Sequence, residues 1–198
     1  MAELSFDNGH TVTSQVSAAL KPPPTPASAP PPSPKLIPRG MPNTISVQTP
    51  RGMLIKPTPV DKTLLSVGAN GSVVPGQQPG LYVASGVSTL PGTDQGTVIV
   101  GGHAKASNAM VFNPLSQLSK DDVNQSQVTL AMADGELTYT IEGIDLVDKV
   151  DLPTQQALAD NRPGRVLLIT CDLEGGNDTF QNLIVVACDN AHKGCGAT

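Results

Sequence analysis

The sequence Gly-Thr-Val-Ile-Val-Gly-Gly-His at residues 96–103 gives the first strong indication of the fold. Its centre, residues 97–100, is a run of β-branched side chains, which favour strands, and glycines flank the run on both sides. A short apolar run bounded by glycine is typical of a strand buried on both faces. We therefore expect a buried strand here, with His103 just beyond its end.

The chain after Ile45 repeats this pattern of short apolar runs separated by glycine, proline and asparagine. It predicts further strands at residues 52–55, 63–67, 128–132, 137–141, 166–170 and 183–187. Pro57 and Pro59 are expected to end the first of these, and Asp134-Gly135 predicts a hairpin between the third and the fourth. So many short strands must protect their edges, which favours an all-β domain in the form of a closed or nearly closed barrel.

Helix signals are few. Pro153 before residues 154–160, with Asn161, Pro163 and Gly164 after them, predicts one short helix. A second short turn is predicted at residues 113–118.

The first 45 residues have a different composition from the rest. Residues 21–38 contain nine prolines, which hold a backbone extended and prevent a packed core. We interpret residues 1–45 as a disordered Ser/Thr- and Pro-rich leader or stalk, with a ligand for an SH3-type module as the alternative. Residues 46–190 are assigned to the barrel domain and residues 191–198 to a C-terminal tail.

Charge and hydropathy exclude several classes of partner. Twelve Lys and Arg against 17 Asp and Glu give a net charge of −5, so nucleic acid is not an expected partner. No apolar run approaches the roughly 20 residues of a membrane span, and residues 1–20 do not resemble a signal peptide. Five acidic residues near the predicted loops lack the spacing of a calcium loop, so no metal or other cofactor is expected; they are Asp121, Asp122, Asp145, Asp148 and Asp151.

A cysteine and a histidine stand at the ends of two predicted buried strands. Cys171 follows the run at 166–170, and His103 follows the run at 97–100, whereas His10 and His192 lie in the leader and the tail. A nucleophilic thiol needs a proton partner, and this arrangement would supply one. The alternatives are that Cys171 is a small buried apolar residue and that His103 is structural.

Three segments, in this order and spacing, resemble the sortases. They are GTVIVGGH at 96–103, VFNPL at 111–115 with Leu118 and Asp122, and LITCD at 168–172. The resemblance runs from about Ile45 to Ala187 and is closest to the class E and F members. It implies a closed sortase-type eight-stranded β-barrel with one or two short helices.

The resemblance also implies an activity. A sortase is a cysteine transpeptidase that cleaves an LPXTG-type signal on a secreted protein and transfers that protein to an amine, either a lipid-linked cell-wall precursor or a pilin lysine. Cys171 would be the nucleophile and His103 the proton donor, while Thr170, Leu152 and Leu158 would bind substrate. The implied location is the extracytoplasmic face of a Gram-positive-type membrane, although this sequence lacks the expected membrane anchor.

One position departs from the family. Sortases carry an arginine at the start of the last strand, opposite the cysteine, where this chain has Asn182 or, with a one-residue shift, Gln181. Asn182 is expected to donate a hydrogen bond instead, and losing one such donor typically costs about 100- to 1000-fold in rate. Arg165 lies six residues before Cys171, roughly 20 Å along a strand, which is too far to touch the reacting carbonyl. Arg162, in the loop before that strand, is expected to be able to fold back toward Cys171.

This departure keeps two other interpretations open. In the first, the chain is a weak or inactive sortase-fold module that binds sorting-signal peptides. In the second, it is an unrelated β-barrel interaction domain.

The tail holds Cys188, His192 and Cys195. A disulfide between the two cysteines is one interpretation. Free thiols are the second, and a zinc site completed by Asp189 is the third.

Overall fold

The computed structural model describes residues 37–67, 73–84, 86–93, 95–152 and 160–195. The ten strands within these ranges are β1 (Thr44–Thr49), β2 (Gly52–Pro59), β3 (Ser66–Val67), β4 (Val73–Val74), β5 (Gly80–Tyr82), β6 (Val98–Gly101), β7 (Gln127–Met132), β8 (Gly135–Asp148), β9 (Arg165–Glu174) and β10 (Asn177–Cys188). The helical segments within these ranges are two 3₁₀ turns, Asn113–Gln117 and Lys120–Asp122, the first of which confirms the turn predicted at 113–118. The helix predicted at 154–160 lies, apart from its last residue, outside the described residues. None of the helical segments described has the length and apolar character of a membrane span.

Eight strands form one sheet in the order β2-β1-β7-β8-β10-β9-β6-β5, and β3 pairs with β4 separately. Every pairing is antiparallel except that of β6 with β9, which is parallel. The eight strands curl into a half-barrel, and the hydrogen-bonded order runs from β2 at one end to β5 at the other. The all-β, eight-stranded architecture predicted from the sequence is confirmed.

The strand that begins at Gly52 is longer than predicted. Pro57 and Pro59 were expected to end it, but β2 continues to Pro59 and pairs with β1 along most of its length. The reason is that β2 is the edge strand, so its solvent side needs no ladder partner and tolerates a residue without an N–H. The β7–β8 hairpin is confirmed, with Gly135 at a φ of 148° beside the turn.

Strands β9 and β10 are buried on both faces. Leu168 and Val185 belong to the main core inside the half-barrel. Leu167 and Ile184 belong to a second, smaller cluster on the outer face. Because side chains alternate along a strand, Cys171 lies on the outer face with Leu167.

A disulfide joins Cys188, the last residue of β10, to Cys195, with their Cα atoms 5.9 Å apart. This confirms the disulfide interpretation of the tail and excludes the free-thiol and zinc interpretations, because an oxidised pair supplies no thiolate ligand.

Candidate active site

The parallel pairing of β6 with β9 brings His103 next to Cys171. Gly101 pairs with Ile169, and the Gly102 N–H donates to the Ile169 carbonyl at 3.0 Å, so the pairing continues beyond the end of β6. Continuing this register for two residues along both chains places His103 beside Cys171. Two residues 68 positions apart in the sequence therefore meet at one end of the sheet.

Both side chains open into a cleft of about 350 Å³. Its walls are formed by His103, Ala104, Lys105, Asn108, Met110, Lys149, Cys171 and Asp178. Cys171 is a free cysteine of intermediate exposure that lines this cleft, so the residue is not sealed in the core. The interpretation of Cys171 as a small buried apolar residue is therefore wrong.

Asn182 occupies the position directly opposite Cys171. The two residues are register partners in the β9–β10 ladder, which places both side chains on the outer face. Asn182 is 8% exposed. Gln181 instead donates from Nε2 to Oδ1 of Asp148 at 3.1 Å, so the one-residue shift is not the register that forms.

A close backbone approach fixes the position of His103. A Cβ atom on the preceding Gly102 would overlap the ring of Phe112, which is fully buried. Only glycine at this position lets the chain pass over that ring as it leaves β6. The glycine before His103 and the phenylalanine of the VFNPL stretch are thus parts of one packing contact.

The loop after His103 is held by side-chain hydrogen bonds. Asn113 accepts from the Lys105 N–H at 2.8 Å and donates from Nδ2 to the carbonyls of Lys105 (3.0 Å) and Asn108 (2.7 Å). Asp178, at the start of β10, accepts from the Ala106 N–H at 2.8 Å. One wall of the cleft is therefore fixed to the 3₁₀ turn and to the β9–β10 hairpin.

The predicted substrate-binding residues occupy different places. Thr170 is 3% exposed and pairs with Leu183 of the main core, so its side chain does not line the cleft and any contact with substrate would go through its backbone. Leu152 is partly buried and packs on the outer-face cluster. Leu158 lies outside the described residues. Substrate binding by Thr170, Leu152 and Leu158 stays a prediction.

Neither arginine near the start of β9 reaches this cleft. Arg165 is buried and donates from Nε to the Thr97 hydroxyl at 3.0 Å and from Nη2 to the Asp160 carbonyl. Arg162 pairs with the Asp160 carboxylate at 2.8 Å and donates to the Cys195 carbonyl at 3.1 Å. The expectation that Arg162 could fold back toward Cys171 is wrong, because these bonds hold it at the opposite end of β9.

Burial also changes the chemistry of that opposite end. It lowers the pKa of Arg165, and the neighbouring Arg162 charge lowers it further. It raises the pKa of Tyr139, with a smaller contribution from Asp189. Both residues line a second cavity of about 210 Å³.

Sequence reasoning missed Lys149, Lys105 and Asp178 as parts of the cleft. Lys105 follows His103 by two residues, so its place was within reach of the sequence. Lys149 follows β8, and only the register of β8 on β10 brings it to the cleft. With His103, the two lysines give the cleft an excess of groups that carry or accept positive charge over the single carboxylate of Asp178.

Comparison with known proteins finds a matching family model and similar solved structures. The family model described as "Sortase domain" matches residues 55–190. Sortase C1 from Streptococcus agalactiae is 20% identical over 74% of this chain and 67% of its own, with a TM-score of 0.50. Sortase C-1 from Actinomyces oris is 21% identical over 74% of both chains (TM-score 0.49), and a lid mutant of sortase A from Corynebacterium diphtheriae is 22% identical over 76% and 70% (TM-score 0.48). No curated protein matches the chain by sequence.

Proposed function

Because this chain belongs to the sortase family, we propose that it is a cysteine transpeptidase that cleaves an LPXTG-type sorting signal and transfers the cleaved protein to an amine. The observation that carries the proposal is the meeting of a free thiol and an imidazole in one cleft, Cys171 and His103. Cys171 lies on β9 and His103 follows the parallel neighbouring strand β6, which supports a nucleophile and a proton donor held close together before substrate binds.

In the first step the Cys171 thiolate attacks the carbonyl carbon of the Thr-Gly bond. The C–S bond forms as the carbonyl π electrons move to oxygen, giving a tetrahedral oxyanion. When the oxyanion collapses, the C–N bond breaks, and the departing amine takes a proton from the His103 imidazolium. The products are a thioacyl-enzyme, a neutral His103 and a free glycyl amine.

The second step reverses the roles. An incoming amine attacks the thioester carbon while His103 accepts its proton, and the C–S bond breaks to regenerate the thiolate. The cycle therefore starts and ends with a Cys171 thiolate beside a His103 imidazolium.

Asn182 faces Cys171 from the adjacent strand and supports this scheme as a neutral donor toward the oxyanion. The same observation favours a second candidate function, a weak or inactive sortase-fold module that binds sorting-signal peptides, because an amide carries no charge to stabilise the oxyanion.

The proposed partners are secreted proteins with an LPXTG-like signal and an amine acceptor, either a lipid-linked cell-wall precursor or a pilin lysine. The proposed location is the extracytoplasmic face of a Gram-positive-type membrane. The Cys188–Cys195 disulfide supports this location, because such bonds persist in oxidising compartments.

The test is incubation of the native protein and of Cys171→Ala with a fluorogenic LPXTG-type peptide, with and without a glycyl amine. The proposal expects cleavage and amine-dependent product from the native protein alone, with a thioacyl adduct on Cys171 seen by mass spectrometry. Peptide binding by both proteins without an adduct would establish the binding module instead. Equal cleavage by both proteins would contradict a role for Cys171.

A further inference from the structure

The chemistry at Cys171 places a negative charge on the carbonyl oxygen, and the residue opposite the thiol is a neutral amide, Asn182. We propose that Lys149 provides the cationic hydrogen-bond donor that stabilises this oxyanion, in the place where other sortases use an arginine. This inference rests on the proposed transpeptidase function and assigns a residue to it that the sequence did not indicate.

The register of three strands places Lys149 on the correct face. Cys171, Asn182 and Val147 form one row across β9, β10 and β8, and Val147 belongs to the outer-face cluster. The Lys149 N–H donates to the Phe180 carbonyl at 3.0 Å, so the β8–β10 pairing continues past Asp148. By alternation, the Lys149 side chain lies on the same face as Val147, one step nearer the end of the sheet.

The distance suits a group that reaches a bound carbonyl. Two strand spacings and two residue rises put the Cα atoms of Lys149 and Cys171 about 12 Å apart. A lysine side chain covers much of that separation, and a carbonyl attached to the sulfur occupies the rest. Consistent with this estimate, Lys149 and Cys171 line the same cleft.

The Lys149 ammonium group is held by one hydrogen bond, which uses one of its three N–H donors. Its Nζ donates to the Thr179 carbonyl at 2.9 Å, and an ammonium has three N–H donors. Thr179 is itself fixed, since its hydroxyl accepts from the Gln181 N–H at 3.1 Å and lies 3.3 Å from the Asp172 carboxylate. This bond fixes the position of the ammonium group while leaving other N–H donors for a ligand.

The other cations near β9 are less suited to this role. Arg162 and Arg165 are bonded at the far end of the strand. Lys105 lines the cleft on the β6 side, next to His103 and the departing amine. Lys149 alone among these four approaches from the side of Asn182, so the proton donor and the oxyanion donors flank the thiol from opposite directions.

The experiment compares Lys149→Met, which keeps the length and removes the charge, with Lys149→Arg and with Lys56→Met, a matched loss of charge on the exposed edge strand β2. Peptide cleavage is measured as kcat and KM, and alkylation of Cys171 by iodoacetamide is measured in parallel. Alkylation needs the thiolate but forms no oxyanion.

We expect Lys149→Met to lower kcat about 100- to 1000-fold with a smaller change in KM, since this is the usual cost of one oxyanion donor. The kcat of Lys149→Arg should stay within about tenfold of the native value, and the kcat of Lys56→Met should equal the native value. Alkylation of Lys149→Met should stay within about threefold of native, as should its unfolding midpoint in urea. Adding Asn182→Arg to Lys149→Met should restore at least tenfold of the lost kcat, because it returns a cation to the position opposite the thiol.

Three results would overturn the inference: unchanged kcat in Lys149→Met, an equal loss of cleavage and of alkylation, or no recovery with Asn182→Arg. The first would leave the proposed function intact, because native cleavage would still depend on Cys171. A native protein with no Cys171-dependent cleavage would instead overturn the proposed function, and the inference with it.

Discussion

The two ends of strand β9 use polar residues in opposite ways. At its start, Arg165 is 2% exposed and its guanidinium bonds to Thr97 and to the Asp160 carbonyl. At the other end, Cys171 has intermediate exposure and opens into a cleft with His103. The disulfide lies at the arginine end, where Cys188 pairs with Arg165.

The difference shows that an arginine close to Cys171 in the sequence need not lie in the cleft. Arg165 lies on the same strand as the thiol and on the same face by alternation, but it is six residues away and its hydrogen bonds go to Thr97 and Asp160. Its role is structural. The cleft takes its positive charge from Lys149, which follows β8, and from Lys105, in the loop after β6.

The largest expected effect is at the open end. His103→Ala should lower peptide cleavage about 100- to 10,000-fold, because the departing amine loses its proton donor. His192→Ala is the matched control, since His192 is paired with Asp189 at the arginine end. Cleavage kinetics on both variants check this, and equal losses would remove the distinction between the two ends.

The next effect belongs to the buried end. Arg165→Met should lower the free energy of unfolding by about 2–4 kcal/mol, because the Asp160 carbonyl loses a charged partner in the interior. Urea denaturation measures it against Arg39→Met, an exposed arginine whose loss should cost at most about 0.5 kcal/mol. The folded variant should keep native kcat at 25 °C, and a large loss of kcat at unchanged stability would mean that Arg165 serves the reaction.

The disulfide should come third. Cys188→Ala with Cys195→Ala should lower the free energy of unfolding by about 2–3 kcal/mol, the value for a short closed loop. Reduction of the native protein should add 2 Da by mass spectrometry, one hydrogen per sulfur. Because the bridge lies away from the cleft, alkylation of Cys171 in the double variant should match native, and a coupled change would show that the two ends communicate.

The smallest effect tests a polar group outside both ends. Asp122 accepts from the Ser119 N–H at 2.8 Å, and this bond lowers the pKa of the carboxyl below 3.8, as do the Ser119 hydroxyl and Arg51, against the opposing effect of burial. A lowered pKa in the folded state means that the contribution is complete above about pH 4 and is lost as pH falls through the folded value. Asp122→Asn should therefore lower the urea midpoint at pH 7, with the difference from native shrinking at pH 3. A difference that stays constant with pH would assign the effect to packing.

The local sequence predicted the strands that end near His103 and Cys171. A strand buried on both faces requires a short, continuous apolar run, and such a run is easy to recognise. The runs at 97–100 and 166–170 and the β7–β8 hairpin formed as expected. The position of Asn182 opposite Cys171 also followed from the sequence, through the resemblance.

The rest depended on pairing between distant strands. Pro57 and Pro59 were expected to end a strand, and only the edge position of β2 explains why they do not. Lys149 carries no local signal, since its place in the cleft depends on β8 being paired to β10 and β10 to β9. The position of Arg162 could not be predicted from the sequence either, because its hydrogen-bond partners include the Cys195 carbonyl, 33 residues away.

The rate at which iodoacetamide alkylates Cys171 at pH 7, in native protein and in His103→Ala, tests most directly whether the thiol and the imidazole work as a pair. The other two cysteines are joined in the disulfide, so the folded chain offers the reagent this one free thiol. We expect native Cys171 to react at least tenfold faster than the same thiol in the urea-unfolded chain, and His103→Ala to lose most of that advantage, because an adjacent imidazolium favours the thiolate. Native alkylation no faster than in the unfolded chain, or unaffected by His103→Ala, would contradict the account.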